Sequence, residues 1–218
     1  MPYLRQGKVL ADVGSDHAHL PIYVCRNGIC PRAIASDINR GPVENARRNI
    51  AAAGLGDRIT AICTPGLDGI AQYAPEDITI FGMGGELIVS IIDAAPWTRD
   101  PAIRLVLQPM SHAEILRAYL LENGFFIVDQ TLVKEEKVYQ IICAEYDGVK
   151  RTADDMALWF GSHNIERMHP LLLELLENKR RLLQTSADGK RMGGKDASFE
   201  LNMLQRMDAL RSRIREGE

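Results

Sequence analysis

The 218-residue chain has no uncharged apolar run of about 18 residues, so no membrane-spanning helix is expected. Its N-terminus lacks an apolar signal region, which points away from secretion. Cysteine is sparse: Cys25, Cys30, Cys63 and Cys143 are the only four. None forms a C-x-x-C pair, and no histidine joins them at ligand spacing. No metal site is therefore expected, and reduced thiols in a cytoplasmic protein are. Nothing resembles a Ser-His-Asp triad. An excess of base is also missing. The net charge is −3, which argues against indiscriminate nucleic-acid binding.

What remains is a globular composition, 46% hydrophobic and 25% charged, long enough for one core-bearing domain and a smaller appendage. Charge is uneven. Residues 1–150 hold 14 Lys/Arg against 18 Asp/Glu, whereas residues 177–195 hold six bases (Lys179, Arg180, Arg181, Lys190, Arg191, Lys195) against two acids. A local basic segment on an acidic protein marks either an anionic partner or merely the solvated face of a long helix.

Residues 8–147 alternate short apolar runs with helical patterns. Strands are predicted over 8–13, 32–37, 58–63, 77–82 and 102–107, and helices over 18–27, 41–53, 85–94 and 111–123. Such alternation builds a parallel sheet with right-handed crossovers. Phe125–Val133 and Val138–Tyr146 then read as two strands joined by four residues. A linker that short makes an antiparallel hairpin, not a parallel crossover. Five parallel strands closing in a hairpin are the layout of class I methyltransferases, which use S-adenosyl-L-methionine (SAM). Beyond Gly148 a short helix over 152–162 is expected. Two amphipathic helices follow over 170–187 and 196–215, with a break at Asp188-Gly189 and Gly193-Gly194. Leu172, Leu175, Leu176, Leu182 and Leu183 form one apolar stripe, and Leu201, Leu204, Met207, Leu210 and Ile214 the other. The domains expected are 1–150, a Rossmann-like sheet, and 151–218, a helical hairpin.

The first predicted strand ends in Asp12-Val13-Gly14-Ser15-Asp16-His17, and Asp37 ends the second, 25 residues after Asp12. This is how a nucleotide-like cofactor is held on an open sheet, by a tight glycine turn and then an acid for the ribose hydroxyls. Asp12 and backbone N–H groups at the turn suit the amino-acid tail of SAM. Asp16 stands where a pyrophosphate-binding loop has glycine, which disfavours a nicotinamide dinucleotide. Ile38 suits the face of an adenine ring. Phe81-Gly82-Met83-Gly84-Gly85 and Gln108-Pro109 follow the fourth and fifth strands on the same rim, where little side-chain bulk lets a flat base approach. Each residue also has a plain structural reading: Asp12 or Asp37 as a helix cap, the glycines as a turn, Gln108 as a structural amide, His17 as a packing group.

Five phrases together resemble the bacterial tRNA N1-adenine-22 methyltransferases: Ala-Asp-Val-Gly-Ser-Asp-His-Ala-His-Leu-Pro (11–21), Ser-Asp-Ile-Asn-Arg-Gly-Pro (36–42), Gly-Met-Gly-Gly-Glu-Leu-Ile (82–88), Leu-Gln-Pro (107–109) and Lys-Glu-Glu-Lys-Val-Tyr-Gln-Ile-Ile (134–142). The resemblance implies a SAM-binding Rossmann domain, a C-terminal coiled-coil-like helical domain and methyl transfer to N1 of adenine 22 in tRNA. Carried onto this chain, it implies a cofactor site at Asp12, Gly14, Ser15, His17, Asp37, Ile38, Gly82 and Met83. The target base would lie near Asp16, Gly84, Gly85, Gln108 and Pro109, with Asp16 and Gln108 as the catalytic candidates. Lys179, Arg180, Arg181, Lys190, Arg191 and Lys195 would meet tRNA.

Two departures stand out. Where the family has Gly-Asn/Asp-Gly-Leu after the third strand, with a side chain for the SAM adenine, this chain reads Thr64-Pro65-Gly66-Leu67. The family also has about a helix more before the first strand, against Met1–Gly7 here, so an uncovered apolar patch is expected. The competing readings are a SAM methyltransferase of a small molecule or protein, a catalytically inactive SAM- or RNA-binding module, and, more distantly, an NAD oxidoreductase.

Overall fold

The computed structural model describes residues 2–216. Its strands and helices alternate as β1 (Leu10–Val13), α1 (His19–Arg26), β2 (Ala33–Asp37), α2 (Arg40–Ala52), β3 (Ile59–Cys63), β4 (Asp77–Gly84), α3 (Gly85–Asp93), β5 (Arg104–Ser111), α4 (Ala113–Glu122), β6 (Phe125–Lys134) and β7 (Val138–Tyr146). The sheet has the order β3-β2-β1-β4-β5-β7-β6. Strands β1 to β5 pair in parallel, and β7 runs antiparallel to β5. This is the Rossmann-like methyltransferase sheet with its terminal hairpin.

Alternation along the strands explains the layering. Leu10, Ala33 and Ala35 pack with Val24, Cys25, Ala46 and Ile50 of α1 and α2. Ala11, Val13, Ile34, Ile78, Ile80, Leu105 and Leu107 turn to the other face, against Ile88 and Ile92 of α3 and Leu116 and Leu120 of α4. The order reverses between β1 and β4, so the crevice beyond their carboxyl ends is where an open sheet binds a ligand.

Strand β5 runs four residues past its predicted end, and β4 two. The cause is a shifted register: Phe81 pairs with Gln108, Met83 with Pro109 and Gly84 with Ser111. Pro109, which has no N–H to give to a ladder, falls at the irregularity, where its absence is tolerated.

The segment before β1 is tied to the sheet by an acid. Asp77 is fully buried and accepts from the Arg5 backbone N–H and from Arg5 Nε, both at 2.7 Å. Arg5 Nη2 also donates to the carbonyls of Glu76 (2.6 Å) and Ala102 (2.8 Å). Leu4 packs beside the α1–α2 core.

The chain divides into two compact units, one of Met1–Asp129 with Ile141–Thr152, the other of Gln130–Gln140 with Ala153–Glu218. The tip of the β6–β7 hairpin thus groups with the C-terminal helices, whereas the sequence reading places it with the sheet. Leu132 and Val138 supply the reason: they are buried in one cluster with Met156, Phe160, Leu172, Leu176 and Met203.

In the second unit two short helices, α5 (Asp155–Phe160) and α6 (Ser162–Glu166), replace the single helix predicted over 152–162. Two long ones follow, α7 (Leu172–Met192) and α8 (Ser198–Glu216). Their ion pairs run in opposite order: Glu177 with Arg211, Arg180 with Asp208, Lys190 with Glu200. That is an antiparallel pair. Helix α7 does not break at Asp188-Gly189. It continues to Met192 and stops where Gly194 takes φ +66° and the Lys195 N–H reaches back to the Lys190 carbonyl at 2.8 Å, a Schellman-type end. Leu182 and Leu201 leave the expected stripes: they are 70% and 46% exposed. No described helix is long and apolar enough to cross a membrane.

Replacing Asp77 by Ala strips the buried acceptor from the Arg5 N–H and guanidinium. We expect a loss of about 2–4 kcal/mol in urea unfolding, seen as a lower midpoint at unchanged slope. A midpoint equal to that of the wild type would show that the N-terminal segment is not anchored through Asp77.

Candidate active site

The carboxyl ends of the first four strands and one side of α3 enclose a cavity of about 320 Å³. Its floor is Val13, Gly14 and Met83. Asp37 and Ile38 come from the end of β2, Thr64 to Asp68 from the loop after β3, and Leu87, Ser90, Ile91, Ala94 and Ala95 from α3 and just beyond it. The walls are mostly apolar, with two carboxylates. Ile38 is 66% exposed and Leu87 52%. Large apolar side chains left so open at the mouth of a cavity suit the face of a flat heterocycle.

Backbone geometry sets the floor. Gly14 has φ +80°, and a Cβ there would come within 2.5 Å of Met83 Cε. The N–H groups of Gly14 and Ser15 both donate to the Ser36 carbonyl, at 2.8 and 2.9 Å. They were expected to meet the tail of a ligand, but the chain itself already uses them. Asp12 is buried and accepts from Thr79 Oγ1 at 2.7 Å. Burial pushes its carboxyl up from the ordinary carboxylate value, and the hydroxyls of Ser15 and Thr79 only partly oppose the shift. Asp12 caps no helix: the N-cap of α1 is Ala18, without a side-chain cap. Ser15 Oγ is buried beside the acid, short of a hydrogen bond of regular geometry. Asp37 accepts from the Asn39 N–H at 2.7 Å, which fixes the carboxyl as the chain turns into α2.

The structure brings Gly14, Asp37, Ile38 and Met83 together in the cavity wall. Asp12, Ser15, His17 and Gly82 lie outside that wall. Asp16 and His17 are exposed, with Asp16 Oδ2 3.2 Å from His17 Nε2, and His17 stacks on His19 at 5.3 Å between ring centroids.

Several residues expected at the target base have structural work. Gly85 is buried, and a Cβ there would meet the His112 carbonyl oxygen at 2.2 Å. It is a glycine so that the start of α3 can press against the end of β5. Pro109 is buried in the sheet. Gln108 is buried too, and its Oε1 accepts from the Gly82 N–H at 3.0 Å. Its remaining N–H groups have Met110 Sδ at 3.5 Å. Gln108 therefore holds the glycine rim in place, while Gly82 and Gly84 remain accessible.

The cavity residues that sequence reasoning missed are Asp68, just past the Thr64–Leu67 stretch it named, and those on α3. One signal was available: Leu87, Ile88, Val89, Ile91 and Ile92 make α3 apolar around most of its circumference, more than one buried face requires. His112, the residue after β5, takes a left-handed conformation, φ 52° and ψ 43°. Among the described residues no cluster of His, Cys, Asp and Glu is arranged to hold a metal ion.

A methyltransferase-domain family model matches residues 1–142. The tRNA (adenine(22)-N(1))-methyltransferase of Bacillus subtilis (strain 168) is 36% identical over 159 residues, which are 69% of this chain and 67% of that protein. The chain belongs to this methyltransferase family. A solved Streptococcus pneumoniae structure, a putative tRNA (m1A22) methyltransferase in complex with S-adenosyl-L-methionine, superposes with a TM-score of 0.85 at 28% identity. The match covers 96% of this chain and 95% of that one. The B. subtilis M1A22 tRNA methyltransferase TrmK superposes with a TM-score of 0.81 at 27% identity, covering 99% and 94%.

Family membership sharpens the question of the buried acid. The folded-state pKa of Asp12 lies above its unfolded value, so between those two values the folded chain binds more protons than the unfolded one. Over that window this group lowers stability as pH rises. Asp12→Asn removes the buried charge while leaving an oxygen for Thr79 to bond. We expect the variant to be at least as stable as the wild type at pH 7, and its stability to fall less between pH 4 and pH 7. Clear destabilisation of the variant at pH 7 in thermal melts would overturn this account of Asp12.

Proposed function

We propose that this protein transfers the methyl group of SAM to N1 of adenine 22 in tRNA. The cavity at the carboxyl ends of β1 and β2 carries this reading. It offers a carboxylate at the end of β2 and an open apolar platform beside it, which fit an adenosine. When bound, SAM supplies an electrophilic methyl on a sulfonium. Asp37 accepts from the ribose hydroxyls, Ile38 covers one face of the adenine, and Met83 against Gly14 closes the floor. Buried Asp12 and Ser15 stand at the first turn, on the side proposed for the ammonium and carboxylate tail. Gly82 and Gly84 leave room at the rim for the incoming base, and Gln108 keeps that rim in shape.

The N1 lone pair of adenine lies in the ring plane, so it could take the methyl directly as the carbon–sulfur bond breaks and S-adenosyl-homocysteine leaves. The protein has to align the reactants and exclude water; no base is needed before attack. Methylation leaves a positive charge on the base, and Asp16 is the exposed carboxylate proposed to face it. Guanine carries a proton at N1. Labelling with isotopic SAM, followed by mass mapping, is therefore expected to show methyl at position 22 of an A22 transcript and none on its G22 counterpart. Equal labelling of both would refute the N1-adenine reaction.

Binding to tRNA is assigned to the helical unit, with a narrower set of bases than charge alone suggested. Arg180 Nε is held by Asp208 at 2.9 Å, Lys190 Nζ by Glu200 at 2.6 Å, and Lys179 Nζ lies 5.4 Å from the centroid of the Trp159 ring. Arg191 and Lys195, with Arg181, which bonds only to neutral acceptors on its own helix, the Glu177 carbonyl and Asn178 Oδ1, are exposed and are the better candidates for phosphates. Reversing the charge of these three should weaken tRNA binding and reduce the slope of log K against log salt by roughly 0.7–0.9 per lost contact. Arg180→Glu should act mainly on stability. Unchanged affinity and slope in the triple variant would remove this face from the tRNA interface.

A further inference from the structure

The loop after β3 lines the cavity on the side proposed for the cofactor's adenine. Pro65 in that loop has neither a polar side chain nor a backbone N–H. The same loop nevertheless brings a carboxylate to the cavity three residues later, at Asp68. Two hydrogen bonds set its position: the Asp68 N–H donates to the Pro65 carbonyl at 3.1 Å, and Thr64 Oγ1 donates to the Asp68 carbonyl at 3.0 Å. The turn from Thr64 to Asp68 is therefore closed on itself, with the side chain of Asp68 exposed at the cavity.

An adenine presents an exocyclic amino group that donates, so its pocket needs an acceptor. Four side chains of the cavity wall carry oxygen: Asp37, Thr64, Asp68 and Ser90. Asp37 is committed to the ribose. The hydroxyl hydrogens of Thr64 and Ser90 are spent on the carbonyls of Asp68 and Glu86, and a neutral hydroxyl is the weaker acceptor. We infer that Asp68 recognises the adenine amino group of the cofactor. This assignment rests on the proposed SAM site. It makes the chain's preference for adenosine over other nucleosides a property of Asp68.

The test compares two ligands on the same protein: S-adenosyl-homocysteine, and its deaminated counterpart S-inosyl-homocysteine, in which a carbonyl replaces the amino group. A carboxylate accepts from the amino group and repels the carbonyl. Calorimetry on the wild type should favour the adenosyl ligand by about ten- to a hundredfold, the scale of a charge-assisted hydrogen bond. An amide at position 68 can donate to the carbonyl, so Asp68→Asn should bring the ratio of the two dissociation constants close to one. Asp68→Ala should weaken the adenosyl ligand by about five- to thirtyfold and leave the inosyl ligand unchanged or improved. A purely structural role would weaken both ligands together. A wild-type ratio retained in both variants would overturn the assignment to Asp68 while leaving the SAM site standing. Absence of any binding of S-adenosyl-homocysteine to the wild type would overturn the site itself.

Discussion

The Ser36 carbonyl is the joint on which the site depends. It accepts from two successive N–H groups, those of Gly14 and Ser15, and so fastens the first turn to the end of the neighbouring strand. A carbonyl has two lone pairs, and this one uses both. The clasp fixes the distance between the glycine floor and the Asp37-Ile38 edge, because the next residue along β2 is Asp37 itself. It also requires Gly14 at positive φ, since the turn has to bend back at once. A Cβ at that position would be both strained and pressed into Met83. One hydrogen-bonded joint therefore couples the ends of β1 and β2, and the Gly14–Met83 contact adds the end of β4.

Much of this was legible in the sequence. The Val/Ile-rich runs, their helical intervals and the four-residue link before Val138 specify the sheet and its antiparallel end, because each signal is local and strongly periodic. Asp37 and Ile38 were legible by spacing. Less legible were the residues whose surroundings come from elsewhere in the chain. Gly85 reads as an open rim glycine, but the backbone that fills the space above it belongs to His112, 27 residues later. Gln108 and Pro109 read as strand-end groups, but a shifted register carries β5 onward past both. Gly189 reads as a helix breaker. A single interior glycine costs only about 1 kcal/mol, less than an antiparallel partner helix supplies. Exposure of Leu182 and Leu201 likewise depends on which side of each helix its partner takes, and leucine spacing alone does not decide that.

The site also shows where the fold accepts a cost. Asp12 is an acid held against its own solvation, which the neighbouring hydroxyls of Ser15 and Thr79 only partly relieve. Elsewhere the interior is conventional: the Cys30 and Cys143 thiols, pushed up to about 12 by burial, behave as small apolar groups. Polar groups in poor surroundings are a usual mark of a place where a ligand completes the hydrogen bonding. On α4, burial pulls the Arg117 guanidinium down to about 9.

The β6–β7 hairpin is shared between the two units, and the chain passes between them at residues 129/130, 140/141 and 152/153. The helical unit is accordingly not a bead strung after the sheet. On the ribosome, Leu132 and Val138 emerge before any of the helices that bury them, and they stay uncovered until α7 and α8 have been made. The first unit can finish folding as residues up to about 152 appear, in line with the N-terminal-first order of synthesis. The hairpin tip has to wait for roughly the last third of the chain. Grafting this appendage onto another methyltransferase sheet would require transplanting the outer half of two strands together with the helices, since the helices alone would leave part of their own core behind.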